Sequence, residues 1–380
     1  MKKILLLALS VFVLIACFMG CATQPTAAPE TEVPSSEPAA EPAAEETSEG
    51  PAVQEPAAGN DQIFSISGEM VLGDYQPKKT EYNFYLTYKL IHPWWDSIEI
   101  GLKEAQAQYA ERGITINYEF TAPVMPDAAD QVSRIETAAG RGFDVIGVDV
   151  ADIKIVTPAI NNLVDNGIKV MTFSSSDATK EDGCKRIAYV GNTHNYQDGA
   201  DLAEILAKEI DYKGQVAALG GTIGAPCHED RIKGFQDTMA KYPDIEVVEI
   251  QYDNDQIEQA VVYTEGFLQK YPDLKGIFCN NMGNPIGAAQ AVIDAGREGE
   301  IVLVGMDHDQ RAIEYLRDGV ITALGIQDCP MMGFDTIQVA IMIADGVFPG
   351  DGTYPEKTEE KTTIVYQDQA QEMLDLLYGG

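Results

Sequence analysis

The sequence predicts an α/β fold of two doubly wound parallel-sheet lobes. From residue 82 onward, short apolar runs of strand length alternate with longer stretches of helical periodicity. Each connection is long enough for a right-handed βαβ crossover, which favours parallel strands with helices on both faces. The pattern predicts about ten strands, more than one such domain of ordinary size contains. Two lobes are therefore expected.

The first lobe is expected to begin with a strand over 82–88 and a helix over 95–112. In that helix Ile98, Leu102 and Ala105 fall on one stripe. The next predicted elements are a strand at 114–120, a helix at 127–139, a strand at 143–149, a helix at 153–166 and a strand at 168–173. Gly167 stands where a helix C-cap is expected.

The same alternation of strands and helices resumes after residue 190. Strands are predicted near 215–219, 245–252, 275–279, 301–305 and 320–325, with helical segments between them. Ligands of open parallel sheets bind beyond the carboxyl ends of the strands, so the loops after the strands are the candidate site. These loops hold both tryptophans of the chain and are rich in His, Asn, Asp and Gln.

The N-terminus predicts export. Lys2 and Lys3 precede an apolar run over 4–16 that is shorter than the roughly 20 residues of a membrane-spanning helix. Its length and flanks are typical of a secretory signal. The chain is therefore expected outside the cytoplasm.

The end of this signal, Leu14-Ile-Ala-Cys17, resembles a bacterial lipobox, in which the cysteine is lipidated and becomes the new N-terminus. Cys21 is an alternative lipid site, and an ordinary cleaved signal is a further alternative. Residues 1–17 are thus expected to direct anchoring by lipid to the extracytoplasmic face of the cell membrane.

An Ala/Pro/Glu-rich segment, residues 18–60, follows the signal. Residues 22–60 contain eight Glu and no Lys or Arg. Such a segment buries little apolar surface and repels itself, so it is expected to be a disordered tether. Residues 61–79 are then expected to lead into the folded body.

Charge and motifs exclude several classes of function. The chain carries 60 Asp and Glu against 26 Lys and Arg, a formal net charge of −34, which disfavours nucleic acid as a partner. The sequence contains no G-x-S-x-G elbow, no Walker A loop and no G-x-G-x-x-G after a strand. The protein is expected to be no enzyme and to need no cofactor.

Metal and disulfide patterns are also missing. The cysteines of the body, Cys184, Cys227, Cys279 and Cys329, form no C-x-x-C pair and are expected to be free, mostly buried thiols. No two His share metal-site spacing on one helix. A calcium loop at Asp253-Asn-Asp255 fails because Glu258 stands where glycine is required. No metal is expected.

A family resemblance rests on five segments in order. These are His92-Pro-Trp-Trp95, Val170-Met-Thr-Phe173, Asp230-Arg-Ile-Lys-Gly-Phe235, Phe278-Cys-Asn-Asn281 and Leu303-Val-Gly-Met-Asp307. From about residue 82 to 367 the chain resembles the type I periplasmic sugar-binding proteins of ABC importers, of the ribose-binding kind and in lipoprotein form. The resemblance implies three hinge crossings, an N-lobe of 80–193 plus 328–356, and a C-lobe of 194–327 plus 357–380.

The same resemblance implies a set of ligand residues. This chain retains the family's aromatic pair, a polar residue beside it and three further polar positions. It departs from the family at four other positions. The retained positions are Trp94, Trp95, His92, Asn281, Asp307 and Gln327, and the departures are Ser174, Ser175, Glu229 and Asn254. Because the departures replace two Arg that would recognise an anion, the expected ligand is neutral, a monosaccharide or related polyol other than ribose. An amine is an alternative, since Glu229 and Asp307 are acidic.

The chemistry of the retained residues supports a sugar. An indole face covers the apolar C–H face of a sugar ring, while amides and carboxylates satisfy its hydroxyls. Structural alternatives stay open: the Trp pair as core, and Asn281 and Gln327 as hinge or turn residues. Arg231 is interpreted as a loop brace.

The resemblance implies capture of a solute by lobe closure and delivery to an ABC permease. A ligand-sensing lipoprotein that presents a sugar, nucleoside or amine to a membrane receptor would have the same fold and site. A cleft hydrolase is the alternative from another class.

Overall fold

Two six-stranded sheets with helices on both faces form the part of the chain that the structure describes. The structure is a computed structural model that describes residues 72–349 and 354–379. The predicted signal, Cys17, Cys21, the tether and most of the lead-in segment lie outside the described residues. Within the described ranges, no helix is long and apolar enough to cross a membrane.

The elements follow the predicted alternation. The strands are β1 (Glu81–Thr87), β2 (Thr115–Thr121), β3 (Val145–Val148), β4 (Val170–Ser174), β5 (Tyr189–Gly191), β6 (Gly214–Gly220), β7 (Ile245–Tyr252), β8 (Leu274–Cys279), β9 (Val302–Met306), β10 (Ala323–Gln327), β11 (Lys357–Glu359) and β12 (Thr362–Tyr366). The helices are α1 (Trp94–Glu111), α2 (Ala128–Ala139), α3 (Ile153–Asp165), α4 (Asn195–Glu209), α5 (Pro226–Met239), α6 (Ile257–Lys270), α7 (Gly283–Asp294), α8 (Gln310–Arg317), α9 (Cys329–Ala344) and α10 (Ala370–Tyr378).

The two sheets have the same winding. The strand order is β11-β5-β4-β3-β1-β2 in the first sheet and β12-β10-β9-β8-β6-β7 in the second. Strand pairing is parallel except between β10 and β12. In each sheet the order reverses beside its first strand, β1 or β6, and such a switch point opens a crevice at the carboxyl ends. The predicted pair of doubly wound lobes is confirmed.

The antiparallel pairing of β12 follows from how the chain changes lobes. β11 runs parallel to β5 in the first sheet, and only Glu360 and Lys361 separate it from β12 in the second sheet. β10 runs toward the cleft, so a strand that enters the second lobe from the cleft is antiparallel to β10. Sheet membership therefore places Lys357–Glu359 in the first lobe, three residues beyond the expected boundary at 356.

Local sequence explains where the helices of the first lobe begin. The Asp127 side chain accepts hydrogen bonds from the backbone N–H groups of Ala129 and Asp130 at the start of α2. Asp152 does the same for Lys154 and Ile155 at the start of α3. Such N-caps satisfy donors that have no partner within the helix. Both helices then pack on the sheet face opposite to α1 and α9.

The four cysteines of the body are free and buried. Three of them lie in apolar clusters: Cys184 on one face of the first sheet, Cys329 on the other, and Cys279 in the second lobe. Cys227 belongs to none of these clusters.

Helices α1 and α9 pack closely because glycines face the opposite backbone. A Cβ atom on Gly101 would lie 1.8 Å from the carbonyl oxygen of Pro330, and one on Gly333 would lie 2.0 Å from that of Ile98. Neither position has room for a methyl group. The two glycines thus set the distance between these helices.

We expect Gly101→Ala to lower the free energy of unfolding by about 1–3 kcal/mol or more, because the helices must separate. The matched control is Gly266→Ala in α6, where a Cβ would meet nothing within 4 Å. That change should raise stability by about 0.5–1 kcal/mol through helix propensity. Denaturant unfolding measures both variants. Equal effects of the two substitutions would contradict this account of the α1–α9 packing.

Candidate functional site

The carboxyl ends of the parallel strands of both sheets face one cleft. The cleft holds about 370 Å³ of space not filled by protein atoms, part of it open to solvent. Seven of the ten residues predicted for the site line it: His92, Trp94, Trp95, Ser175, Asn281, Asp307 and Gln327. The fold therefore brings residues that are up to 235 positions apart in the sequence to one cavity, as the strand-end rule predicts.

The aromatic wall comes from the start of α1. Trp94 and Trp95 pack edge to face, with ring centroids 4.8 Å apart. Trp95 is 2% exposed and packs against Tyr88 in a tilted arrangement, with ring centroids 4.4 Å apart, so it also belongs to the core of the first lobe. Trp94 is 7% exposed, and its indole Nε1 donates to Asp307 Oδ1 of the other lobe at 3.0 Å. Trp94 is thus the tryptophan that reaches across the cleft.

Asp307 and Gln327 form the centre of the polar wall. Gln327 Nε2 donates to Asp307 Oδ1 at 2.6 Å. Gln327 Oε1 accepts hydrogen bonds from Ser175, Asn192 and Arg231 at 2.8, 3.2 and 3.0 Å. One amide therefore connects both lobes, the hinge and the cavity.

The backbone is strained where strands enter the cleft. Ser174 and Asp307, which end β4 and follow β9, have φ of 75° and 76°. Non-glycine residues rarely adopt this left-handed region, and such strain concentrates at ligand sites. At Asp307 it accompanies a carboxylate that faces the cavity.

A second polar cluster surrounds Asp255. Its carboxylate accepts hydrogen bonds from Asn281 Nδ2 at 2.6 Å and from the Thr222 hydroxyl. His228 Nε2 lies 3.7 Å from Asp255 Oδ1, while His228 Nδ1 accepts from the backbone N–H of Thr222 at 2.8 Å. Burial would raise the pKa of Asp255, but His228 and Lys89 outweigh burial and lower it. Asp255 is thus an ionised acceptor in the cavity wall.

Lys89 brings a positive charge to the cavity. Its Nζ lies 3.6 Å from Asp149 Oδ2, and both side chains are almost completely buried. Burial disfavours the charged form of Lys89, yet Asp149 and Cys227 outweigh it and raise the pKa of the ammonium. Burial raises the pKa of Asp149 to about 6, against the opposing effect of Lys89. The pair is a buried ion pair whose lysine stays charged.

Arg231 lies in the cavity wall, and sequence reasoning gave it only a bracing role. Its guanidinium donates to Gln327 Oε1 and to the backbone carbonyl of Asn280, at 3.0 and 3.1 Å. Its Nε is buried without a hydrogen-bond partner in the described structure. Arg231 therefore both braces the loop after β8 and faces the cavity.

Three predicted residues do not line the cavity. Ser174 is fully buried behind it, and its hydroxyl has no hydrogen-bond partner among the described residues. Glu229 faces a neighbouring groove, where its side chain accepts from the N–H of Gly224 at 2.9 Å. Asn254 is exposed, while Asp255, one residue later, lines the cavity. Cavity residues that sequence reasoning did not select include Lys89, Arg231, Asp255, Cys227 and His228.

The arrangement suits binding of a polar molecule between an aromatic face and several fixed hydrogen-bonding groups. Burial lowers the pKa of His92, so its imidazole is a neutral partner at neutral pH. Within residues 72–349 and 354–379, no group of three or more His, Cys, Asp or Glu is placed to hold a metal ion.

Similarity to known proteins agrees with this geometry. Residues 84–347 match the family of the periplasmic binding protein domain. The D-ribose/D-allose-binding protein of Pseudomonas aeruginosa is 27% identical over 257 residues, which cover 67% of this chain and 79% of that protein. The galactofuranose-binding protein of Escherichia coli is 25% identical over 291 residues, 74% of this chain and 86% of that protein. Both are binding proteins by name, as expected for a chain that is no enzyme.

Solved structures show the same fold. A solute-binding protein of an ABC transporter from Burkholderia graminis, in complex with D-arabinose, has a TM-score of 0.70 and 28% identity over 77% of this chain and 98% of its own. One from Actinobacillus succinogenes with bound D-allose has a TM-score of 0.66 and 26% identity over 77% of this chain and all of its own. The family model spans well over half of the sequence, so this chain belongs to the periplasmic binding protein family and adopts its type I fold.

Proposed function

We propose that this protein is a lipid-anchored, extracytoplasmic solute-binding protein that captures a neutral monosaccharide or related polyol by lobe closure and delivers it to an ABC permease. The observation that carries the proposal is the cavity itself. One wall is the indole of Trp94 from the first lobe, and the other is the Asp307–Gln327 pair from the second.

The hydrogen bonds that cross the cleft support capture by lobe closure. Trp94 and Ser175 of the first lobe donate to Asp307 and Gln327 of the second. A ligand that offers hydroxyl donors and acceptors can take over these bonds and add an apolar face for the indole. It binds both walls only when the lobes are closed, so it shifts the balance toward the closed state.

The charges of the cavity favour a neutral ligand. Lys89 is paired with Asp149, and the guanidinium of Arg231 is held by Gln327 and a backbone carbonyl. Asp255 is held by Asn281 and Thr222. Because each of these charged groups already has at least one partner, an ionic ligand would have to displace an existing contact, whereas hydroxyls add hydrogen bonds to the existing set.

Relatives support a sugar of this class and an importer as partner. Their names or bound ligands include D-ribose, D-allose and D-arabinose. One relative, from Bacillus subtilis and 23% identical, is named a ribose import binding protein.

The proposal is tested by a melting screen over pentoses, hexoses, polyols, nucleosides and amines. A compound at a hundredfold excess over its Kd should stabilise the protein by about 2.7 kcal/mol. Stabilisation by a neutral polyhydroxylated compound supports the proposal. Stabilisation by amines alone would contradict the assignment to sugars.

We expect Asp307→Ala to weaken binding of the sugar that the screen identifies by about 10- to 100-fold. The loss corresponds to about 1.5–3 kcal/mol, because ligand hydroxyls lose a charged acceptor in a buried cleft. Titration calorimetry measures the affinity, and melting without sugar measures stability.

The matched control is Asp309→Ala, two residues further along. Asp309 caps α8 by accepting from the N–H of Arg311 at 2.8 Å, so its loss should cost about 1 kcal/mol of stability and leave affinity unchanged. If Asp307→Ala instead lowers stability and keeps full affinity, Asp307 is a structural residue.

The lipid anchor is proposed from the sequence at Cys17. Cys17→Ser should release the protein from membranes or leave the signal uncleaved, because no thiol remains to accept the lipid. Cys21→Ser is the control and should leave anchoring intact. Membrane fractionation with lipid labelling distinguishes them. The reverse result, with labelling abolished only by Cys21→Ser, would move the lipid to Cys21.

A further inference from the structure

Two hydrogen bonds join the lobes outside the ligand cavity. On one side of the cleft, Ser97 Oγ and His308 Nε2 lie 2.7 Å apart and share a hydrogen bond. On the other side, the backbone N–H of Ile153 donates to the carbonyl oxygen of Gly224 at 3.3 Å. Ser97 and Ile153 belong to the first lobe, and their partners belong to the second. None of these four residues lines the cavity.

The two contacts flank the cavity because they come from opposite faces of each sheet. In the first lobe, Ser97 lies on α1 and Ile153 begins α3, and these helices pack on opposite faces of the sheet. In the second lobe, His308 precedes α8 and Gly224 precedes α5, which also pack on opposite faces. A ligand between the lobes can therefore take over the bonds of the cavity walls without disturbing either contact.

The loop that carries His308 is held in place from its own lobe. The hydroxyl of Tyr378 in α10 donates to the carbonyl oxygen of His308 at 2.5 Å. His308 is 4% exposed, and burial lowers the pKa of its imidazole. The ring is therefore neutral at neutral pH, so its hydrogen bond with Ser97 places no charge between the lobes.

Gly224 permits the close approach on the other side of the cleft. Its φ is 82°, and a Cβ atom there would lie 2.4 Å from Asp152 Oδ2. The Asp152 carboxylate is not free to turn away, because its other oxygen caps α3 by accepting from the N–H groups of Lys154 and Ile155. The lack of a side chain at Gly224 therefore lets the two backbones meet.

We propose that these two contacts are latches that hold the lobes closed from both sides of the cleft, whatever occupies the cavity. Their role rests on the lobe closure of the proposed function and not on the identity of the sugar. Hinged lobes move as bodies, so the two latches open and close together. Removal of the bond at Ser97 should therefore weaken the bond at Ile153, although the two residues lie on opposite faces of the sheet.

The amide of Ile153 reports closure directly. Because Ile153 is the first residue of α3, its N–H has no acceptor within the helix. Its protection from hydrogen exchange therefore depends on the carbonyl of Gly224 in the other lobe. The amides of Lys154 and Ile155 donate to Asp152 in the same lobe, so they serve as internal controls.

The test measures exchange at these three amides by NMR in the full chain without any sugar. We expect the Ile153 amide to be protected in the wild type. Ser97→Ala should speed its exchange by about 2- to 10-fold, the effect of one lost hydrogen bond, and leave Lys154 and Ile155 unchanged. Ser97→Thr keeps the hydroxyl and should restore the wild-type rate. Ser133→Ala, which removes an exposed serine of α2, should have no effect.

Three results would overturn the proposal. They are an unprotected Ile153 amide in the wild type, an unchanged rate in Ser97→Ala, and an equal rise at all three amides. The last result would show that the start of α3 opens within its own lobe and that the lobes do not separate. Sugar binding is measured separately by the melting screen, so failure of the latches and failure of the proposed function are distinguishable.

Discussion

The arrangement of the two lobes depends on the hydrogen bonds of the Gln327 side chain. It stands at the end of β10, at the second hinge crossing, and bonds to Ser175 and Asn192 on one side and to Arg231 and Asp307 on the other. Each bond is modest by itself, but a buried amide that is bonded at both its oxygen and its nitrogen is costly to disturb. The same amide that faces the cavity therefore also sets how the lobes meet.

Hydrogen bonds also connect the three chain crossings of the hinge to one another. The backbone N–H of Asp328, at the second crossing, donates to the carbonyl of Lys361 at the third, and that of Glu360 donates to Gly191 near the first. Asn192 adds side-chain bonds to Asp198 and Thr362, at 2.6 and 3.1 Å. Three chain crossings thus behave as one unit, so opening is expected to rotate the lobes about it and not to unfold any strand.

Much of this architecture could be predicted because periodicity and the strand-end rule depend on local sequence. Asn281, Asp307 and Gln327 were found because each stands at the end of a strand or within two residues of it, and Trp94 because the family resemblance places an aromatic pair in the segment after β1. Asn254 was chosen where Asp255 lines the cavity, since positive φ at both residues, 54° and 61°, turns the loop in a way that spacing does not reveal.

The remaining differences have similar causes. In the first turns of α5, Glu229 and Arg231 lie on different sides of the helix, and only the packed helix shows which side faces the cavity. The pairing of β11 with β5 joins residues far apart in sequence, so a three-residue strand gave no local signal. Lys89 was not predicted because its role depends on contacts with Asp149 and Cys227, and these contacts form only in the folded chain.

The position of the two tryptophans has a practical consequence. The chain contains only Trp94 and Trp95, and both lie in the cleft, one of them bonded across it. Light absorbed and emitted by indole in this protein therefore comes from the cleft alone, without background from the rest of the fold. The unlabelled protein carries its own optical reporter, and emission wavelength and quenching by acrylamide can follow opening and closing in real time.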